Sequence, residues 1–344
     1  MSSPSVQRAT GPDLHAQIVQ LAIGYMPSVC LYAAAKFKIA DVLATGPKHV
    51  SELARANGAN EGALHRALRL LASLGVFEET SPGTFVNTPL SSVIRGDFPD
   101  SARNTIMFMS NPLHVRVFAE FMHSIETGGT AFKKATGFES FQFFEKQDEE
   151  AAAFHASMTA SSERFMQPAI DAYDFGETGT LADVGAGHGV VLAAILQKHR
   201  GLRGILFDLP HVAEGAKPRI ESLGLAPRCE IVGGDFFEAV PPADSYVMKS
   251  VIHDWDDAHA LAILKNCAKA MRDPKGKVIV LELIIAPGNG PGLGKWIDIE
   301  MLAMVGGRER TEAEFAELFA RAGLRLTRVV RSPSIFCAIE AVKA

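Results

Sequence analysis

The chain has 344 residues, of which 47% are apolar and 21% charged, with a formal net charge of -5. That is longer than one typical domain, and the composition is that of a globular protein able to bury a core. The acidic balance excludes a partner held by bulk positive charge, such as nucleic acid or a membrane surface, and leaves small molecules as the expected ligands.

The first ten residues, "MSSPSVQRAT", lack the charged-then-apolar pattern of a signal peptide. From Leu14 to Ala35 there is no Asp, Glu, Lys or Arg, and the run is long enough to cross a bilayer. His15, Gln17, Gln20, Pro27 and Ser28 interrupt it, so an apolar interface helix is expected there rather than a span. A short helix from Ser51, a Gly/Asn turn and a second helix follow, with Leu64, Ala67, Leu68 and Leu71 at helical spacing. Two strand-like pieces, Val76 to Glu79 and Thr84 to Thr88, flank the turn "SPG". This is the outline of a winged helix. Its second helix offers His65, Arg66 and Arg69, but Glu61 shares that face and Glu78 and Glu79 lie on the wing. Without a basic stripe, dimerisation is expected rather than DNA binding.

From about Thr178 the pattern becomes alternating strands and helices: "TLADV", "GILFDL", "CEIVGG", "SYVMKS" and "KVIVLELII", each followed by helical or loop sequence. Such alternation predicts a parallel sheet covered on both faces, with ligands at the carboxyl ends of its strands. "LRLTRVV" and "SIFCAIEAV", joined by "RSPS", predict a terminal hairpin. Cys30, Cys229, Cys267 and Cys337 stand singly with no metal-ligand spacing, so no metal site is expected and the thiols suit a reducing, cytoplasmic compartment.

"LADVGAGHGVVLAAIL" reads as strand, glycine loop and helix. Gly185, Gly187 and Gly189 allow a tight turn and close backbone approach to a ligand. A dinucleotide fingerprint needs a sixth-position glycine, but Val190 stands there, which favours an adenosyl cofactor without a pyrophosphate. Asp208 ends the next strand, where a carboxylate can accept ribose hydroxyls. Asp235 and Phe236 end the third, placing an acceptor and a flat ring where an adenine would lie. Each feature alone fits a plain turn or a helix cap; three at successive strand ends favour ligand binding.

"DVGAGHG", "FDLPHV", "VGGDFF", "MKSVIHDWDD", "ILKNC", "GKVIVLE" and "GGRERTEAEF", in that order, resemble the motifs of the S-adenosylmethionine-dependent O-methyltransferases related to caffeic acid and hydroxyindole O-methyltransferases. The resemblance runs from about Ile18 to the end. It implies a class I methyltransferase α/β fold, a Rossmann-like parallel sheet with an antiparallel hairpin strand, plus a winged-helix-like dimerisation domain. The expected division is a dimerisation domain over 1–100, a helical linker contributing to the substrate pocket over 101–177, and a cofactor-binding catalytic domain over 178–344. It also implies that Gly185, Gly187, Asp208, Asp235, Phe236 and Lys249 contact S-adenosylmethionine, and that His253 is the general base.

A sulfonium methyl is already activated, so catalysis consists mainly of alignment and removal of one proton. A phenolic hydroxyl with a pKa of about 10 can give that proton to an imidazole of reference pKa about 6.5. Glu282 and Glu309 match the carboxylates that flank the family's histidine, and either could orient it. Asp254, Asp256 and Asp257 also suit the first turn of the following helix, and Thr311 forms a capping box with Glu314. Phe154 and Met158 in "FHASM", with Met301 and Met304 in "IDIEMLAM", are substrate-lining candidates together with Asp254, although Phe and Met at helical spacing equally suit a core. Ala186 and His188 interrupt the GGGTG loop of plant members, and Ser250 replaces their usual Trp, which argues against a lignin-precursor substrate and for a bacterial branch. A homodimeric enzyme acting on a small aromatic hydroxyl is therefore expected. Same-fold decarboxylation or hydroxylation, and a cofactor-sensing DNA-binding regulator, are the competing readings.

Overall fold

The computed structural model describes residues 13–144, 146–176 and 179–344. The N-terminal decapeptide and the proposed boundary at 177–178 lie outside them. The chain divides into two compact units, one ending at Asn111 and one spanning Pro112–Ala344.

In the first unit the uncharged stretch forms two helices, Leu14–Ala22 and Tyr25–Lys36, bent by 46° at the break. Among the described residues no single helix is long and apolar enough to cross a membrane. Leu14, Ile18, Leu21 and Tyr25 are exposed on this pair. The helices Val50–Asn57 and Glu61–Ser73 start on side-chain caps, His49 and Asn60. Leu53, Leu64, Leu68 and Leu71 fall on their buried faces, as a 3.6-residue period requires. Strands β1 (Lys48–His49), β2 (Phe77–Ser81) and β3 (Thr84–Asn87) form an antiparallel sheet in the order β1-β3-β2, so the wing has a third, very short strand. His65 Nε2 lies 2.9 Å from Glu79 Oε1, so one of the three candidate side chains on the outward helix face is engaged by the wing.

The second unit is built on a seven-stranded sheet: β4 (Gly179–Val184), β5 (Leu202–Asp208), β6 (Cys229–Gly233), β7 (Ser245–Lys249), β8 (Lys277–Glu282), β9 (Leu324–Arg331) and β10 (Cys337–Lys343). The order is β6-β5-β4-β7-β8-β10-β9. The first five strands run parallel, while β10 is antiparallel to both β8 and β9. The hairpin therefore closes the sheet with its second strand inside its first. Residues alternate between the two faces: Ala182, Ile205, Phe207, Tyr246, Met248, Val278 and Val280 pack on one side, and Leu181, Leu206, Val247, Ile279 and Leu281 on the other. Helices Asp257–Ala270 and Glu312–Arg321 cover the first face, and Val190–Lys198 and Pro210–Ser222 the second. Because both faces are buried, the strands read as nearly continuous apolar runs. Order reverses between β4 and β7, the switch point where open α/β sheets bind ligands.

Candidate active site

The glycine loop after β4 has three left-handed residues, Gly185 (φ 73°), Gly187 (φ 54°) and Gly189 (φ 72°). A Cβ on Gly185 would lie 2.6 Å from Val251 Cγ2, so this glycine is required by close approach as well as by conformation. Asp208 ties the loop to the next strand: Oδ2 accepts the Gly187 N–H at 2.7 Å and Oδ1 accepts the Leu209 N–H at 2.7 Å. Each oxygen retains accepting capacity for a ribose hydroxyl. Burial raises the Asp208 carboxyl above its ordinary range against those two amides. Asp183, next to last in β4, lies nearly fully buried, with Oδ2 lacking any hydrogen-bond partner among the described residues. Burial, assisted by the charge of Asp208, pushes it up to about 7. An unsatisfied buried carboxylate beside a loop with three glycines fits a ligand carrying donor groups.

Asp235 lies just beyond β6 and caps its own turn, accepting the Phe237 N–H at 2.8 Å. Phe236 meets Phe237 edge-on at 4.8 Å between ring centroids and Trp255 at 6.0 Å. Asn266, from the "ILKNC" segment, donates to the carbonyls of Phe236 and Phe237 at 2.8 and 3.1 Å and so holds this aromatic corner. Lys249 ends β7 with its Nζ 5.4 Å from the centre of the Phe336 ring. Burial lowers its ammonium to about 8 although Asp254, Glu282 and Asp183 pull the other way.

After β7, Ser250 takes a left-handed φ of 53°, uncommon for a residue with a side chain, and the chain turns into the short helix Ile252–Asp254. His253 is 8% exposed. Its Nδ1 lies 2.7 Å from Oε1 of Glu309, and its Nε2 lies 3.4 Å from Oδ1 of Asp254. Glu309 therefore meets the ring, whereas Glu282 meets the backbone: Oε1 accepts the N–H groups of Val251, Ile252 and His253 at 3.2, 2.7 and 3.1 Å. The two glutamates, which motif matching gave one role, have different tasks. Burial alone would lower the His253 imidazole, but the charges of Asp254, Glu309 and Glu282 outweigh it and hold it up at about 9. Burial raises Asp254 to about 6 and Glu282 to about 7. Asp256 caps the helix from Asp257 by accepting the His259 N–H at 2.9 Å, as its position in the sequence indicates.

Phe154 and Met158 lie on the long helix Asp148–Ala172, which bears on the glycine loop through His155 and Thr159. The His155 and His188 rings are 5.3 Å apart, and Thr159 Oγ1 is 3.4 Å from His188 Nδ1. Phe154 itself stacks on Phe144 at 5.0 Å and 8°. Met301 lies on the helix Leu293–Met304, whose Asp298 accepts the Glu309 N–H at 2.9 Å. Met304 is buried. The structure thus brings together His253, Asp254, Glu282, Glu309 and Lys249, and separately Gly185, Gly187 and Asp208, while Gly185 abuts Val251 to join the groups. Motif reading passed over Asp183, Asp298, Asn266 and the His155–His188 pair. A buried acid next to last in a strand is the one sequence signal that could have raised Asp183. Among the described residues no group of three or more His, Cys, Asp or Glu could hold a metal ion.

A doubly covered sheet with this glycine loop, acids at the first two strand ends and a histidine after the fourth strand defines a class I S-adenosylmethionine-dependent methyltransferase. Comparison with known families resolves the class. Residues 118–325 match the O-methyltransferase domain model and residues 19–95 the O-methyltransferase dimerisation domain model. The chain is 41% identical over 335 residues to phenazine O-methyltransferase PhzM of Lysobacter antibioticus, covering 97% of this chain and 98% of that one. It is 36% identical over 301 residues to the mitomycin biosynthesis 6-O-methyltransferase of Streptomyces lavendulae, covering 87% and 85%. Among solved structures, NcsB1 from neocarzinostatin biosynthesis, in complex with S-adenosylmethionine and 2-hydroxy-5-methyl naphthoic acid, matches with a TM-score of 0.81 at 32% identity, covering 93% of this chain and 96% of that one. The chain belongs to the S-adenosylmethionine-dependent O-methyltransferase family, as its motifs indicate.

Proposed function

We propose that this enzyme methylates a hydroxyl of a small aromatic metabolite, with His253 as the general base. The observation that carries the reading is the His253–Glu309 contact: with Nδ1–H donated to Glu309 at 2.7 Å, Nε2 is the nitrogen that takes the acceptor's proton. Glu309 orients the ring and, with Asp254, stabilises the imidazolium as it forms. Asp254, 3.4 Å from Nε2, also offers an acceptor to a polar group beside the reacting hydroxyl. When bound, the cofactor supplies a methyl on a cationic sulfur, an electrophile that needs no further activation. Gly185, Gly187, Asp208, Asp235, Phe236 and Lys249 would hold it, and the orphaned oxygen of Asp183 adds an acceptor beside the loop.

The named ligands of its relatives, a phenazine and a naphthoic acid, support a fused aromatic acceptor. Phe154, Met158 and Met301 suit its walls. The dimerisation-domain match and the exposed Leu14, Ile18, Leu21 and Tyr25 support a homodimer. Four free thiols suit a cytoplasmic setting. The deciding experiment incubates the enzyme with isotopically methyl-labelled cofactor and a panel of phenolic, naphthoic and phenazine acceptors. Product gaining one labelled methyl supports O-methyl transfer to that ring class. Loss of carbon dioxide or gain of oxygen without the label would refute it.

A further inference from the structure

Three of the residues from Gly306 to Thr311, namely Gly307, Arg308 and Arg310, act on one short stretch of backbone. A Cβ on Gly307 would fall 2.0 Å from the His253 carbonyl oxygen, so this glycine lies flat against the loop that carries the base. The Arg308 N–H donates to that same carbonyl at 2.8 Å. Glu309 takes the imidazole. Arg310, 1% exposed, donates from Nη1 to the Ile252 carbonyl at 3.0 Å and from Nη2 to the Trp255 carbonyl at 3.0 Å. Its Nε and Nη2 also reach Asp257 Oδ1 at 3.2 and 2.8 Å. Thr311 then caps the next helix.

We propose that Arg310 is a positioning residue for the reaction, the counterpart of Glu282. Glu282 gathers three amide N–H groups of the loop and Arg310 gathers two of its carbonyls, so the backbone on both sides of His253 is fixed by side chains from distant segments. A guanidinium suits this task because its donors form a rigid fork; an ammonium serves the same carbonyls with a single nitrogen. The inference rests on His253 being the base. Its content is that loosening the fork moves the imidazole off its carboxylates, and small displacements of a reacting group are costly.

The test is Arg310→Lys in the full-length enzyme, with cofactor affinity by calorimetry, kcat and KM for an acceptor found in the panel above, and the pH profile of kcat. The expected result is a folded protein whose cofactor affinity and acceptor KM stay within a few-fold. Its kcat falls about ten- to hundred-fold, and the acid limb moves toward the value of a free imidazole, about 6.5. Asp257→Asn, which removes the carboxylate holding the fork but leaves the fork, is expected to move the same limb the same way with a smaller loss of kcat. If Arg310→Lys does not fold, the Asp257→Asn profile decides alone. Wild-type kcat and an unmoved limb in the folded Lys variant, or an unmoved limb in Asp257→Asn, overturn the inference. His253→Gln separates it from the base assignment: turnover surviving there sinks the base itself, whereas an inactive His253→Gln beside a fully active Arg310→Lys sinks only the role of Arg310.

Discussion

The glycine loop and the base loop lie against each other, yet they are made in opposite ways. Residues 185–189 take their turn from three glycines at positive φ and are pinned to the next strand, where the Phe207 carbonyl accepts the Gly185 and Ala186 amides and Asp208 that of Gly187. Residues 251–255 contain no glycine. The amides of Val251, Ile252 and His253 and the carbonyls of Ile252, His253 and Trp255 are met by Glu282, Arg308 and Arg310, residues 29 to 58 positions away, while the amides of Asp254 and Trp255 close short turns onto Val251 and Ile252. A cofactor-binding turn tolerates a shape written locally, because it presents backbone to its ligand. A base must present one side-chain nitrogen at one place, and that placement is inherited from the scaffold.

The largest effects should come from breaking the base side. His253→Gln is expected to lower turnover by about 10²- to 10⁴-fold while cofactor affinity by calorimetry stays within a few-fold. Near-wild-type turnover would end the assignment. The proposed role of His253 fixes the sign of the wild-type pH profile, because a raised imidazole accepts a proton only when neutral. Activity is therefore expected to climb with pH through a limb lying between about 6.5 and about 9. A profile falling over that interval contradicts it. Glu309→Gln keeps an acceptor for Nδ1–H but removes one of the charges that raise the imidazole. It should reduce kcat by about ten- to hundred-fold and shift the limb to lower pH. A limb that moves up, or stays, would show that Glu309 does not act on the ring.

How much of this was legible in the sequence follows the same division. "GAGHG" and the acids at 208 and 235 could be read because turn, strand end and ligand role coincide within a few residues. The terminal hairpin was legible from its short turn, but not that β10 would insert between β8 and β9, because strand order is set by pairing between distant segments. The charge-free run from Leu14 to Ala35 reads as one segment by composition, which carries no sign of the 46° bend between its two helices. Motif matching gave Glu282 and Glu309 one label, since both are acids near a histidine. Only coordinates separate a carboxylate on the ring from one on three backbone amides. Arg310 stood in a quoted motif without a task because two of its partners are carbonyls, which leave no mark in the sequence, and its carboxylate partner, Asp257, lies 53 positions away.

The cofactor side should yield more gently and unevenly. Gly185→Ala combines left-handed strain, about 1–2 kcal/mol, with a Cβ 2.6 Å from Val251 Cγ2. Gly187→Ala carries only the strain, because nothing lies within 4 Å of its Cβ position. Cofactor affinity is expected to fall about ten-fold for Gly187→Ala and further for Gly185→Ala. Only the Gly185 variant should also lower kcat, because it pushes on the residue that leads into the base loop. Equal behaviour of the two variants in calorimetry and kinetics would deny any coupling between the loops.

The smallest expected effect asks whether the clamp segment depends on the helix that follows it. Thr311 and Glu314 form a capping box, the Thr311 hydroxyl taking the Glu314 N–H at 3.3 Å and Glu314 Oε2 taking the Thr311 N–H at 2.8 Å. Thr311→Ala removes half of it and should cost about 1 kcal/mol in a denaturation experiment. The contacts of Glu309 and Arg310 are made before the cap and to a different segment, so kcat and its pH profile should not move. A loss of stability with unchanged kinetics would locate the positioning of His253 in the clamp itself. A kinetic change as large as that of Glu309→Gln would mean that the base loop takes its shape from the whole helix Glu312–Arg321, and the contrast between a locally written loop and one held by a few distant side chains would have to be redrawn.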